Sequence, residues 1–283
     1  MLFRQCVRRA RPRCCAFATS AIGGLNGDYI HGVASEGEGP PSVHYFSSSE
    51  HSGDGEAATP VSPWHDAPLF SVDHGAPFVN FITEIPRYTT AKMEIDTAAR
   101  CNPIVQDEKN GAPRHYHGPI FWNYGCLPQT WEDPNVPGDA AVNGALGDND
   151  PLDVVEIGSR ALPMGSITAV KPLGCLAMLD DGELDWKLLA IGVDDPLCEQ
   201  LHDVADVEAL CPGVVSGVRE WFRWYKTPDG KPPCAFGHGE VALGAEHARA
   251  VIAETHEHWT ALVEGRADPG KLWIPSHNPL LKQ

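Results

Sequence analysis

A short acidic segment is the part of this sequence whose residue types and spacing most clearly allow chemistry. The run Gly147-Asp148-Asn149-Asp150-Pro151-Leu152-Asp153 places three carboxylates immediately before an apolar stretch. A second acidic group follows at 180–187, which reads Asp-Asp-Gly-Glu-Leu-Asp-Trp-Lys. Each segment alone is typical of a solvated turn, because Asp, Asn, Gly and Pro are common turn residues. Both segments lie at the ends of apolar stretches, however, so a fold can bring them together.

Carboxylates that are brought together need a counter-charge. Two of them about 4 Å apart repel by about 4 kcal/mol at an effective dielectric constant of about 20. Hard divalent cations with oxygen ligands offset this repulsion, and such sites favour Mg²⁺ or Mn²⁺. The nine cysteines include no C-x-x-C spacing in the presumed domain, so we expect free thiols and no structural zinc site.

Basic and phenolic side chains are interleaved with the acids. Lys187 shares a predicted strand face with Asp185, and Lys92 shares one with Glu94. Tyr225-Lys226 closes a predicted helix, and Arg114 lies in a loop after Gly111. Carboxylates with Mg²⁺ and Lys, Arg and Tyr donors are typical of a site for a small, phosphate-rich substrate. No Walker A or G-x-G-x-x-G pattern indicates a nucleotide cradle.

The elements that must position these residues are strands first and helices later. Apolar or alternating stretches predict strands at 78–85, 93–95, 154–157, 166–170, 173–179 and 185–193. Apolar residues at helical spacing predict helices over 214–225 and 248–263. Because the strands follow one another without helices between them, we expect an antiparallel or barrel-like sheet with helices packed on it. The predicted class is mainly β with flanking helices (α+β).

Composition divides the chain into zones. Residues 1–20 contain five Arg and no acid, which is typical of a transit peptide. Residues 21–65 are rich in Gly, Ser and Pro, and we expect a disordered linker there. The folded domain is predicted at 66–265, and an irregular C-terminal tail at 266–283. The expected location is mitochondrial; a plastid, or the cytoplasm if residues 1–20 are an ordinary basic tail, stays open.

The charge balance bounds the partners. A formal net charge of −17 argues against sequence-independent binding to nucleic acid, which needs a basic surface. No apolar run is long enough to span a membrane. A homodimer is left open, since Trp131 and Trp273 could each be an interface residue or a core residue.

These segments, taken in order, resemble the soluble family I inorganic pyrophosphatases of the longer eukaryotic type. The matching blocks are Glu-Ile-Pro-Arg at 84–87, Ala-Lys-Met-Glu-Ile at 91–95, Asn-Pro-Ile-Val-Gln-Asp at 102–107, Asn-Tyr-Gly at 123–125, 128–135, the D-x-D-P-x-D-V signature at 148–154, 180–187, 220–226 and 228–232. The resemblance covers about residues 66–265. It implies an OB-like closed five-stranded barrel with C-terminal helices, and Mg²⁺-dependent hydrolysis of pyrophosphate to two phosphates without a covalent intermediate. It implies several Mg²⁺ ions, for which Mn²⁺ or Zn²⁺ could substitute.

The resemblance also implies residue roles. Asp148, Asp153 and Asp185 would hold the tightest metal ion, with Asp153 bridging to a second; Asp180, Asp185 and Glu94 would serve the ions that arrive with substrate, and Glu84 would lie outside them. Asp150 would be the general base, Tyr124 would tune the nucleophile site, and Lys187 would orient the metal ligands. The phosphate-binding residues would be Lys92, Arg114, Tyr225 and Lys226.

The loop 114–123 departs from the family pattern. The family has a Tyr four positions before the Tyr of the Asn-Tyr-Gly block, whereas this chain has Ile120, and the loop is shorter than usual. One hydroxyl that contacts phosphate is therefore expected to be missing, although His115, Tyr116 and His117 could compensate. Two alternatives follow: a metal-dependent phosphohydrolase acting on another polyphosphate or organic diphosphate, and a non-catalytic cation-binding protein.

Overall fold

The structure is a computed structural model that describes residues 21–23, 28–34, 41–49 and 59–276. The predicted transit peptide lies outside the described residues. The strands are β1 (Ala21–Gly23), β2 (Asp28–Ala34), β3 (Ser42–Ser49), β4 (Thr59–Val61), β5 (Val79–Ile85), β6 (Met93–Ile95), β7 (Ile104–Gln106), β8 (Glu108–Lys109), β9 (Ala112–Pro113), β10 (Asn123–Cys126), β11 (Asp153–Glu156), β12 (Ile167–Asp180), β13 (Glu183–Gly192), β14 (Ala235–Phe236) and β15 (Leu243–Gly244). The helices are α1 (Pro63–Asp66), α2 (Val204–Leu210), α3 (Val214–Trp224) and α4 (Ala245–Val263).

Five of the strands close into a ring. In order around the ring, β5 pairs with β10, β10 with β11, β11 with β13, β13 with β12, and β12 returns to β5. Every pair is antiparallel except β11 with β13, which is parallel. This arrangement confirms the predicted class, a mainly β fold with a closed five-stranded core and helices that follow it.

The ring strands bury side chains on both faces. On one face Val154 and Leu188 pack in the same cluster as Val251 of α4. On the other face Val155 and Leu189 belong to the larger core cluster that contains Phe222 of α3. Because successive side chains of a strand point to opposite faces, a strand covered on both sides is apolar throughout. This explains why the successive positions Val154 and Val155 are both apolar.

The strand β12 differs from its prediction. Two extended segments were expected, at 166–170 and 173–179, but the structure has one strand from Ile167 to Asp180. Pro172 cannot donate a backbone hydrogen bond, and the pairing register shifts between Pro172 and Gly174. This local irregularity lets the strand continue, and one long strand can then pair with both β5 and β13.

The expectation of a disordered linker over 21–65 is wrong for the parts of that segment that the structure describes. β1, β2, β3, β7 and β6 form a second sheet, and β4 pairs with β3. Val43 and Tyr45 are each only 1% exposed, and the Tyr45 hydroxyl donates to the carbonyl of Gly165 (3.1 Å). The average content of Gly, Ser and Pro hid a short period-two pattern, in which alternate residues of β3 reach the core.

The helices agree in part with the prediction. α3 buries Val215, Val218 and Phe222, and α4 buries Val251 and Trp259, as the periodicity indicated. The short helix α2 was not predicted. Its signal is a capping box, in which the Asp203 and Asp206 side chains accept hydrogen bonds from each other's backbone N–H groups.

The C-terminal segment 266–276 contains neither helix nor strand, and its end is attached to the domain. The Trp273 N–H donates to the carbonyl of Thr97 (2.8 Å), and the Trp273 carbonyl lies 3.1 Å from Nε2 of His65. Trp131 is fully buried and is therefore a core residue. Among the described residues, none of the helices is both long enough and apolar enough for a membrane span.

Candidate active site

One cavity of about 970 Å³ lies beside the five-stranded ring and is lined by residues from both sheets. Its lining includes every residue that was predicted from the sequence to form the site: Glu84, Lys92, Glu94, Arg114, Tyr124, Asp148, Asp150, Asp153, Asp180, Asp185, Lys187, Tyr225 and Lys226. Residues that are up to 142 positions apart in the chain therefore meet in one place. Acidic side chains and basic side chains both face the same space.

The loop before β11 is held against a neighbouring segment by backbone hydrogen bonds. The N–H of Glu132 donates to the carbonyl of Asp150 (2.9 Å), and the N–H of Asn149 donates to the carbonyl of Glu132 (3.0 Å). Gly147 permits this approach, because a Cβ at that position would lie 2.5 Å from the carbonyl carbon of Glu132. The glycine before Asp148 thus allows the acidic loop to take its position.

Parallel pairing joins the two acidic segments. Asp153 at the start of β11 is the register partner of Lys187 on β13. Nζ of Lys187 lies 2.5 Å from a carboxylate oxygen of Asp153 and also contacts Asp185. Desolvation lowers the pKa of Lys187, but the charges of Asp153 and Asp185 outweigh it and raise the pKa well above its usual value. Lys187 is 1% exposed and is a buried, charged centre of the acidic cluster.

One lysine does not balance the cluster. Glu132, Asp148 and Asp185 each offer an oxygen, and these oxygens lie within 4.8 Å of one another. Burial is the largest cause that raises the pKa of all three groups well above the usual values, and neighbouring carboxylates raise it further, although the charge of Lys187 lowers the pKa of Asp185 and Asp148. One oxygen of Glu132 is buried without a hydrogen-bond partner, whereas the other accepts from the N–H of Trp186 (3.0 Å). An unpartnered carboxylate oxygen among other carboxylates fits a bound hard cation.

Asp150 occupies a different position in the same loop. Its backbone N–H donates to Asp148 (3.0 Å), while its carboxylate faces the cavity. Desolvation, then the charges of Glu94 and Asp153, raises the pKa of Asp150 to about 7. Tyr124 donates a hydrogen bond to Asp153 from β10, the strand paired with β11. Glu84 is buried behind this group and accepts from the N–H of Ile95 (2.8 Å).

The basic side chains form the other walls. Lys92 contacts Glu94 and lies 3.0 Å from Asp107, which also accepts from Arg114 (2.9 Å). Across the cavity, Asp180 accepts from the Tyr225 hydroxyl (2.9 Å) and from Lys226. Both sets of cations are paired with carboxylates at the cavity surface. These ion pairs fix the positions of the Lys and Arg side chains at the cavity, where they can bind an anion.

Three residues were not among the predicted site residues: Asp107 and Tyr116, which line the cavity, and Glu132, which lies beside Asp148 and Asp185. Asp107 and Glu132 lie inside the blocks 102–107 and 128–135 that resemble the family. The resemblance therefore included both residues but did not indicate what either of them does. Tyr116 lies in the variable loop, where no pattern identifies it. Ile120, the position that departs from the family pattern, is fully buried and adds no polar group to the cavity.

A closed β ring that holds a carboxylate cluster beside Lys and Arg side chains defines a class, the metal-dependent enzymes of phosphate chemistry. The comparison with protein families makes this specific. The family model described as inorganic pyrophosphatase matches residues 81–260. The chain belongs to the inorganic pyrophosphatase family, and it is a hydrolase that cleaves inorganic pyrophosphate.

Individual relatives agree with this assignment. The chain is 50% identical over 212 residues to soluble inorganic pyrophosphatase 6, chloroplastic, of Arabidopsis thaliana, covering 75% of this chain and 69% of the relative. It resembles the crystal structure of type I inorganic pyrophosphatase from Toxoplasma gondii with a TM-score of 0.75 and 48% identity, over 82% of this chain and 99% of the other. A vacuolar soluble pyrophosphatase from Trypanosoma cruzi, truncated of its N-terminal domain and in complex with PPi, has a TM-score of 0.78 and 36% identity, over 93% of this chain and 99% of the truncated one.

Proposed function

We propose that the chain hydrolyses inorganic pyrophosphate to two phosphates with Mg²⁺ as its metal, by direct attack of water. The observation that supports this most is the single cavity in which the acidic loop faces Lys92, Arg114 and Lys226. Pyrophosphate carries several negative charges, which must be offset before an attacking oxygen can approach. Metal ions held by the carboxylates and the basic side chains would together offset them.

The proposed metal-holding residues are the carboxylates of the cavity. Asp148, Asp153 and Asp185 would hold the tightest ion, and Asp180 and Glu94 would serve the ions that accompany substrate. The closeness of the Glu132 carboxylate to Asp148 and Asp185, together with its one unpartnered oxygen, supports a cation there. When bound, Mg²⁺ supplies Lewis-acid chemistry, which neutralises phosphate charge and makes water easier to deprotonate.

The proposed work of the other side chains concerns the substrate and one proton. Lys92, Arg114, Tyr225 and Lys226 would bind phosphate oxygens and hold the substrate in line. Asp150 would accept the proton of the attacking water as its oxygen bonds to one phosphorus. The bond from that phosphorus to the bridging oxygen breaks, and its electron pair leaves with the second phosphate. The charge that develops there would be offset by the basic side chains.

The first experiment is release of phosphate from pyrophosphate by the full chain, with Mg²⁺, Mn²⁺, Zn²⁺ or a chelator. We expect turnover with Mg²⁺ and none with the chelator. Organic diphosphates and longer polyphosphates serve as competing substrates in the same assay. Metal binding by calorimetry without any turnover of pyrophosphate would contradict the proposal and favour a non-catalytic cation-binding protein.

We also propose an organellar location. The Arg-rich, acid-free composition of residues 1–20 supports import, and the similar Arabidopsis protein is named chloroplastic. A mitochondrion is the location that we expect for this chain. Residues 1–65 fused to a fluorescent reporter test it, and a diffuse cytoplasmic signal would contradict it. A homodimer stays a prediction for light scattering.

A further inference from the structure

Tyr116 lies on the wall of the catalytic cavity in the loop that follows β9. Its N–H donates to the carbonyl of Thr90 (2.7 Å), which fixes the backbone at the cavity edge. The ring meets Trp221 edge-on, with centroids 5.0 Å apart at 86°, and Tyr225 with centroids 6.0 Å apart at 69°. The side chain is only 7% exposed, and it lines the same cavity as the predicted site residues. Its direction is therefore set by packing.

Three phenols line this cavity, and two of them are committed. Tyr124 donates its hydroxyl hydrogen to Asp153, and Tyr225 donates to Asp180 (2.9 Å). The hydroxyl of Tyr116 has no hydrogen bond to any residue that the structure describes, and it is not sealed from the cavity. Within the described part of the chain, Tyr116 is thus the one phenol of the wall whose donor is free for a ligand.

The charged neighbours of this hydroxyl indicate the kind of ligand. The side chains that act on it electrostatically include the cations of Lys92, Lys187 and Arg114 and one carboxylate, that of Asp153, which already accepts hydrogen bonds from Tyr124 and Lys187. Desolvation is the main cause that raises the pKa of Tyr116, so the phenol keeps its proton and remains a donor. A free donor among three cations suits an anionic oxygen, and hydrogen bonds to charged partners are stronger than neutral ones.

We propose that Tyr116 is a substrate-binding residue whose hydroxyl donates a hydrogen bond to a phosphate oxygen of pyrophosphate, on the Lys92 and Arg114 side of the cavity. This inference rests on the proposed function. The competing interpretation is that Tyr116 only packs against Trp221 and Tyr225. The variant Tyr116→Phe separates the two, because it keeps the ring and removes only the donor.

The experiment compares wild type, Tyr116→Phe and the control Tyr88→Phe, whose tyrosine is exposed and contacts Arg87. A hydrogen bond to a charged group contributes about 1.5–3 kcal/mol, so we expect kcat/KM of Tyr116→Phe to fall about 10- to 100-fold. Calorimetry with Mg²⁺ and methylenediphosphonate, a diphosphate analogue that is not hydrolysed, should show a similar loss of affinity. Tyr88→Phe should match wild type in both measurements.

Two further readouts exclude a merely structural role. Mn²⁺ binding without substrate and the midpoint of urea unfolding should be unchanged in Tyr116→Phe. Wild-type kcat/KM and wild-type analogue affinity in this variant would overturn the inference while leaving the proposed function intact. Loss of stability together with unchanged analogue affinity would also overturn it, in favour of packing. Absence of pyrophosphate turnover in the wild type would instead contradict the proposed function itself.

Discussion

Removing one buried negative charge should stabilise the metal-free protein. Glu132 is 2% exposed, one of its oxygens is buried without a hydrogen-bond partner, and its carboxylate lies close to those of Asp148 and Asp185. In Glu132→Gln the amide oxygen can still accept the hydrogen bond from the N–H of Trp186, which is 3.0 Å long in the wild type. The amide nitrogen then takes the place of the unpartnered oxygen. The substitution therefore changes charge and leaves the packing of the site in place.

The magnitude follows from the spacing of the oxygens. Two unit charges 4.8 Å apart at an effective dielectric constant of about 20 repel by about 3.5 kcal/mol. Lys187 already offsets part of the charge of Asp185. We therefore expect Glu132→Gln to raise the free energy of unfolding by about 3 kcal/mol without metal when the other carboxylates are ionised.

The effect should depend on pH. Burial, then the charges of Asp148 and Asp185, raises the pKa of Glu132 well above its usual value. Above the unfolded pKa of about 4.3, this carboxyl group is ionised in the unfolded chain. On folding it must then either take up a proton or remain ionised among like charges, and each of these outcomes costs free energy. Wild-type stability is therefore lost as the pH rises from that value towards the folded pKa. The advantage of Glu132→Gln should be small near pH 5 and reach its full size near pH 8.

Urea unfolding with a chelator, at several pH values, measures this difference, and Glu257→Gln on the exposed side of α4 is the matched control. With Mg²⁺ the order should reverse, because wild type gains more from the ion, and the variant should bind Mg²⁺ about 10- to 100-fold more weakly. A metal-free Glu132→Gln variant that is no more stable than wild type near pH 8, or one whose Mg²⁺ affinity is unchanged, would contradict the repulsion between Glu132 and its acidic neighbours.

Three further changes test the rest of the site. Asp150→Asn should reduce phosphate release by about 10²- to 10⁴-fold with an unchanged urea midpoint, and near-wild-type turnover would contradict its role as the base. Lys187→Met leaves Asp153 without its buried partner, so the free energy of unfolding without metal should fall by about 3–5 kcal/mol in urea titrations; no loss would refute the charge balance described above. Gly147→Ala forces the acidic loop away from Glu132, and calorimetry should show weaker Mn²⁺ binding in a chain whose circular dichroism is unchanged; wild-type binding would show that the close approach is dispensable.

The correctly predicted parts of the fold have strong local signals. The alternation of Trp186, Leu188 and Ala190 with Asp185, Lys187 and Leu189 predicts β13 without tertiary information. The failure over 42–49 also has a local cause, because composition averaged over a long segment hides two buried residues, Val43 and Tyr45, at alternate positions. Strand propensity likewise does not predict that β12 continues through Pro172, because the partner strands decide whether the missing backbone N–H of a proline is tolerated.

The sequence alone determined which carboxylates and cations could act, because D-x-D-P-x-D spacing and Lys-x-Glu alternation are properties of a short stretch of chain. Only the tertiary structure decided what those residues meet. The parallel pairing of β11 with β13 sets Asp153 beside Lys187, and the approach of Gly147 to the Glu132 backbone brings a buried carboxylate to Asp148. Such contacts depend on pairing between distant strands and on burial, which set the electrostatic energies and are not encoded in any local pattern.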